Sequence, residues 1–191
     1  MTKSDDKLSH DLEVLEAMAA EMDEYLRSDV LFWPMGRANL PRLTLGGYLM
    51  RQHRLLALRD LLDADQRARL EAAVERFDQA LSDKIVRSEA RATQELAARV
   101  RQWGEFMKDL GWDSGGAHYP SAVETRAMIA ALMDKLSSPP YRLEEEATRA
   151  LGAHDRYLRN NWQPGAFIWP EGWQPAYPEA AYWWLYGLPR G

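Results

Sequence analysis

The chain has 191 residues, 28% of them charged and 46% hydrophobic, with a net charge of −5. That length favours one domain with a real core, the composition excludes overall disorder, and the acidic balance argues against a general nucleic-acid binder, which needs clustered Lys and Arg. Cysteine is absent, which excludes disulfides, thiolate catalysis and cysteine-ligated metal, and is compatible with a cytoplasmic setting.

The opening MTKSDDKLSHDLE is acidic and lacks an apolar core, so no signal peptide is read there. No run in the chain approaches the roughly 18 apolar residues of a membrane span. Ser4, followed by Asp5 and Asp6, starts a helix with Leu8, Leu12, Leu15, Ala19, Met22 and Leu26 on its inner face, ending by about Val30. His10 falls outside that stripe. Residues 1–30 carry nine acids against Lys3, Lys7 and Arg27, whereas 31–62 carry Arg37, Arg42, Arg51, Arg54 and Arg59 against Asp60 alone. The two segments are complementary and are expected to pack side by side.

Trp33-Pro34-Met35-Gly36 has the residue order of a type I turn. Thr44 then caps a second helix that buries Leu45, Tyr48, Leu49, Gln52, Leu55, Leu56 and Leu62. The pair Gly46-Gly47 costs about 1 kcal/mol per glycine inside a helix, so it implies a close helix contact or a frayed first turn.

The longest element follows. Asp63 and Gln66 form a capping box, and Leu70, Val74, Phe77, Leu81, Ile85, Ala92, Leu96, Val100, Trp103, Met107 and Leu110 recur at helical steps up to a stop at Gly111. The polar middle, Ser82 to Glu95, admits three readings: a solvated strut, a break near Ser82 to Ser88, or a polar centre facing a ligand or a second copy. With no Gly or Pro there, one continuous helix over about 64–110 is favoured. That continuity would place the Trp33 loop, the Gly115-Gly116 loop and the aromatic tail at one end.

GWDSGGAHYP reads as a glycine-rich loop. Its Asp-Ser-Gly-Gly is similar to the nucleophile segment of trypsin-like serine proteases, but a helical chain cannot supply their β-barrel, and the reading is set aside. Ser121 and Glu124 box the next helix, to about Leu136. Ser138-Pro139-Pro140 ends it and opens the last long helix, with Glu144 to Glu146 near its positive end and Leu143, Ala147, Ala150, Leu151, His154 and Leu158 inward.

From Asn160 onward the chain holds nine of its twenty Phe, Trp and Tyr residues, with prolines at 164, 170, 175, 178 and 189. Such a segment cannot be one long helix. It is read as a strap over the bundle or an anchor for another chain, with a short helix near Glu179 to Tyr186.

The fold expected is all-α: an elongated, mostly antiparallel bundle of five to six helices at 1–159, built on the long helix, with a Pro/Trp-rich extension at 160–191 packed on the bundle or a partner. No recognised catalytic motif is present, and no cofactor is called for. The leading expectation is a non-catalytic interaction or assembly module, binding a protein partner or a second copy through Trp33, Trp162, Trp169, Trp173, Trp183 and Trp184. The alternative is a small-ligand or metal site between the helices carrying His53 and His154, with Asp60 and Asn161 beside them. The chain has neither a His-x-x-x-His pair nor the Glu-x-x-His pair of ferritin-like di-iron bundles.

Overall fold

The computed structural model describes residues 3–110 and 115–190, with side chains from Lys7 to Leu110 and from His118 to Arg190. The chain is mainly α-helical. The bundle consists of α1 (Lys3–Arg27), α2 (Leu45–Ala57), α3 (Ala64–Ser82), α4 (Ile85–Asp109), α5 (Gly115–Leu136) and α6 (Glu145–Asn160). A C-terminal strap follows, with β1 (Trp162–Phe167), α7 (Glu179–Tyr182) and β2 (Tyr186–Pro189).

Local chemistry sets several helix starts as the sequence requires. Thr44 Oγ1 accepts the Gly47 amide at 2.9 Å, and Asp63 and Gln66 bond reciprocally at 2.8 and 3.0 Å. All six predicted inner residues of α1 are buried. The complementary charges of the first two segments meet: Asp11 on α1 pairs with Arg51 and Arg54 on α2.

Side-chain pairs give the helix directions. Asp11 lies by Arg54 and Met18 by Gly47, so α1 and α2 are antiparallel. Ser9 bonds Gln66 and Glu16 bonds Arg69, so α1 and α3 run parallel. Trp103 meets Tyr119 at the end of α4 and the start of α5, an antiparallel pair. Gly104 abuts His154 while Arg142, ahead of α6, bonds Glu89, so α4 and α6 run parallel. The chain therefore forms two up-down-up triplets, α1 to α3 and α4 to α6, joined where α2 packs on α5.

The continuous helix expected over 64–110 is corrected: α3 and α4 are separate, and only Asp83 and Lys84 lie between them. α3 packs chiefly along α1, whereas α4 packs on α5 and α6. The interruption needs no glycine or proline because polar side chains compensate for it. Lys84 pairs with Asp23, Arg87 donates to the Arg27 carbonyl at 2.9 Å, and Arg91 donates to the Ser28 carbonyl. These cations occupy the C-terminal end of α1, where carbonyls lack helical partners and the dipole is negative. Of the three readings of the polar middle, the structure shows the break near Ser82 to Ser88.

Other boundaries shift too. α5 begins at Gly115, so Pro120 and Ser121 lie inside the helix rather than before it. The gain is at Tyr119, fully buried against Trp103, Phe106 and Trp162, whose hydroxyl donates to the Trp184 carbonyl at 2.6 Å. Gly111 and Asp113 lie outside the described residues. Pro139 and Pro140 fall in the connection, not in the first turn of α6, which starts at Glu145 with Glu146 beside it. In the Trp33 loop the hydrogen-bonded turn is Arg37–Leu40, while Trp33 pairs with Leu43 in a β-bridge.

The strap adds an antiparallel hairpin that the sequence did not announce. Trp162 faces Pro189, Gln163 faces Leu188 and Pro164 faces Gly187, with a bulge before Phe167 meets Tyr186. Gly187 has φ +145, and a Cβ there would lie 2.2 Å from the Gln163 carbonyl, so the strand crossing requires glycine.

Candidate functional site

The strap is held by a buried polar clamp on α2. Arg54, 2% exposed, donates through Nη1 to Asp11, itself 7% exposed, and through Nε to the Tyr177 hydroxyl at 3.1 Å. Its guanidinium lies 3.6 Å from the Trp173 ring centroid and 5.1 Å from that of Trp169. Burial pushes the Tyr177 phenol up to about 12 against the opposing charge of Arg54, so the hydroxyl stays protonated. Burial also lowers Arg51, which sits 3.4 Å from Asp11. The clamp ties α1, α2 and the strap into one unit.

One residue earlier on α2, His53 also meets the strap. Its Nε2 lies 2.8 Å from the Ala176 carbonyl and 3.3 Å from the Tyr182 hydroxyl. A carbonyl can only accept, so Nε2 carries the N–H that is donated to Ala176. His53, Gln52 and Leu49 of α2, Arg126 and Asp134 of α5, and Tyr182 of α7 border one cleft of about 710 Å3. The cleft lies where the strap crosses the α2–α5 contact. Its polar groups differ in how far they are committed. Arg126 forks onto Asp155 at 3.1 and 2.9 Å, and Lys135 reaches Asp78 at 4.0 Å. Gln52 has a buried amide oxygen with no donor among the described residues.

A second buried carboxylate lies away from the cleft. Glu95 on α4 is 0% exposed, accepts the Gly46 amide at 3.0 Å and lies 3.3 Å from Arg99. Desolvation raises its pKa, with Arg99 and the Gly46 amide opposing. It anchors the N-terminus of α2 to α4, which is the close helix contact that Gly46 anticipates.

The histidine pair expected between facing helices is not assembled. α2 packs on α1, α4 and α5, whereas α6 packs mainly on α4, so His53 meets the strap and His154 meets Gly104. Asp60 is exposed in a 3-10 turn after α2. Asn161 ends α6: its amide donates to the Tyr157 carbonyl at 3.0 Å, and its carbonyl accepts the Arg190 amide at 2.6 Å. Among the described residues no group of three or more His, Asp or Glu is placed to hold a metal ion.

The tail tryptophans pack on their own bundle. Trp184 is buried with Arg126 at 4.9 Å from its ring, Trp183 carries Arg159 at 3.9 Å, and Trp162 meets Trp183 edge-on at 5.3 Å. Trp169 and Trp173 are edge-on at 6.0 Å. Trp33 is separate: its indole N–H donates to Glu21 at 2.8 Å, toward the opposite end of α1 from Asp11 and the clamp. The single aromatic end expected from a continuous helix is therefore corrected, and the break after Ser82 is the reason.

Sequence reasoning placed His53 and Gln52 on the right helix and missed Arg54, Tyr177 and Tyr182. The charge asymmetry signalled an α1–α2 pairing. Nothing local showed that the tail would cover one of those arginines. No family model, curated protein or solved structure matches the chain.

Proposed function

We propose that this protein is a small-ligand-binding helical bundle whose site is the cleft between α2, α5 and the strap. One observation carries the reading: the C-terminal segment folds back to bring Tyr177 and Tyr182 to the same cleft as His53 and Gln52. The volume of about 710 Å3 lies in the range of small-molecule sites, roughly 300–1,000 Å3, and its lining mixes apolar side chains with polar ones that could orient a ligand. The test is a fragment screen by protein-observed NMR with Ala130→Trp as the blocked control. Hits that shift cleft residues and vanish in Ala130→Trp support the reading; hits confined elsewhere, or none, overturn it.

Self-association is a second reading, favoured by a separate observation. Val86 is 80% exposed and its neighbour Ile85 40%, two β-branched apolar side chains at the α3–α4 corner. Exposed apolar groups set together are a feature of contact surfaces. Sedimentation of Val86→Asp against the parent chain tests it.

A further inference from the structure

The cleft holds one carboxylate, Asp134, with no cation paired to it, and this bears on what it would hold, given the reading of the cleft as a ligand site. Both cations at its edge are already engaged. Arg126 is spent on Asp155 through two N–H groups, and Lys135 is shared between Asp78 and the rings of Phe77 and Tyr141, at 5.8 and 5.5 Å. Each therefore has an acid of its own beside it.

Asp134 is in the opposite condition. Asp134 lines the cleft, and no Lys, Arg or His lies within 4.0 Å of its carboxylate among the described residues. It is near enough to Tyr182 for its charge to oppose ionisation of that phenol, after the larger effect of burial. Gln52 adds a buried amide oxygen without a donor, which costs about 1–3 kcal/mol if nothing satisfies it. Around these groups the walls are Leu49, Met133 and the alanines of α5, with the Tyr177 and Tyr182 rings at one side. Aromatic faces favour a cation over an anion.

We propose that the cleft binds a primary ammonium carried on a compact apolar body, with the ammonium set against Asp134 and Gln52 and the body against Leu49, Met133 and the α5 alanines. Binding exchanges no covalent bond. The ammonium supplies N–H donors, and the carboxylate of Asp134 and the amide oxygen of Gln52 can accept them.

Three probes with one indole body separate the alternatives by calorimetry: tryptamine as the ammonium, tryptophol as the alcohol and indole-3-propionate as the carboxylate. Tryptamine is expected to bind tightest, Asp134→Asn to weaken it about fivefold, and tryptophol to be indifferent to that change. Asp134 is exposed, so the substitution does not threaten folding. Gln52→Leu is expected to weaken tryptamine as well. Indole-3-propionate binding as tightly as tryptamine, or tryptamine indifferent to Asp134→Asn, overturns the ammonium class while fragment hits blocked by Ala130→Trp leave the cleft reading intact. If no probe binds and the fragment screen also finds nothing in the cleft, both fall together.

Discussion

The guanidinium of Arg54 lies 3.6 Å from the ring centroid of Trp173, joining the middle of α2 to a residue 119 positions later in the chain. The same side chain holds Asp11 and the Tyr177 hydroxyl, so three distant segments converge on one cation. Replacing Arg54 with Met removes the charge and leaves Asp11 buried without it, and Arg51 reaches that carboxylate only at 3.4 Å. Loss of one partner of a buried pair costs about 3–5 kcal/mol. Arg54→Met is expected to fall near the low end of that range in urea unfolding, because Arg51 remains. Arg54→Lys keeps a charge but not the planar stack or the fork, and should still lose more than about 1 kcal/mol. A lysine variant as stable as the parent would show that the ring contact contributes nothing. Limited proteolysis should cut the strap faster in both variants.

Gly46 makes a different use of close approach. A Cβ there would lie 2.7 Å from Glu95 Oε1, 3.0 Å from Leu132 Cδ1 and 3.2 Å from Met128 Cβ, side chains of two different helices. Gly46→Ala gains about 1 kcal/mol of helix propensity and loses about 1–3 kcal/mol to overpacking. The contact with a fully buried carboxylate, itself fixed by the Gly46 amide, leaves little room to relax. The net expectation is destabilisation, read as a lower denaturant midpoint. Gly36→Ala is the control, since nothing lies within 4 Å of a Cβ there.

Much of this arrangement is legible in the sequence where local rules decide it. The Thr44 cap, the Asp63 box, the inner stripe of α1 and the opposite charges of the first two segments all follow from spacing and side-chain chemistry. The α3–α4 corner does not. Asp83 and Lys84 carry no breaker signal, and the interruption is stabilised by Asp23 and the terminal carbonyls of α1, sixty residues upstream. The clamp is hidden for the same reason. Arg54 looks like any surface arginine until Trp173 and Tyr177 cover it, so its burial is a tertiary fact. Gly104 carries no signal of its purpose either, because the ring it accommodates belongs to α6.

Val86 separates stability from assembly. At 80% exposed it contributes little to folding, so Val86→Asp should shift unfolding by no more than about 0.5 kcal/mol. If the α3–α4 corner is a contact between copies, the same change places a carboxylate in an apolar interface and shifts sedimentation toward the smaller species. A chain that sediments as a monomer with or without the substitution removes the assembly reading at this surface.

Gly104 and His154 provide a coupled test of packing and protonation. A Cβ at position 104 would lie 2.6 Å from both Cε1 and Nε2 of His154, so Gly104→Ala must displace the imidazole. In the parent chain the displacement offsets the roughly 1 kcal/mol that alanine gains in a helix. With His154→Ala as background the obstruction is gone, and the same substitution should stabilise; the difference is the coupling a double-mutant cycle reads. His154 is also held below its ordinary value of 6.5, first by burial and then by Lys108, with Asp155 opposing. The folded ring therefore stays neutral where the unfolded ring takes a proton. Below pH 6.5 the unfolded state binds more protons, so stability falls as pH drops through that value toward the lower folded one. Comparing urea midpoints at pH 7.5 and roughly pH 5.5, the parent chain should lose more than His154→Gln does. Equal losses would place the acid sensitivity elsewhere. A Gly104→Ala chain that stabilises equally in both backgrounds would show that the ring moves aside without cost.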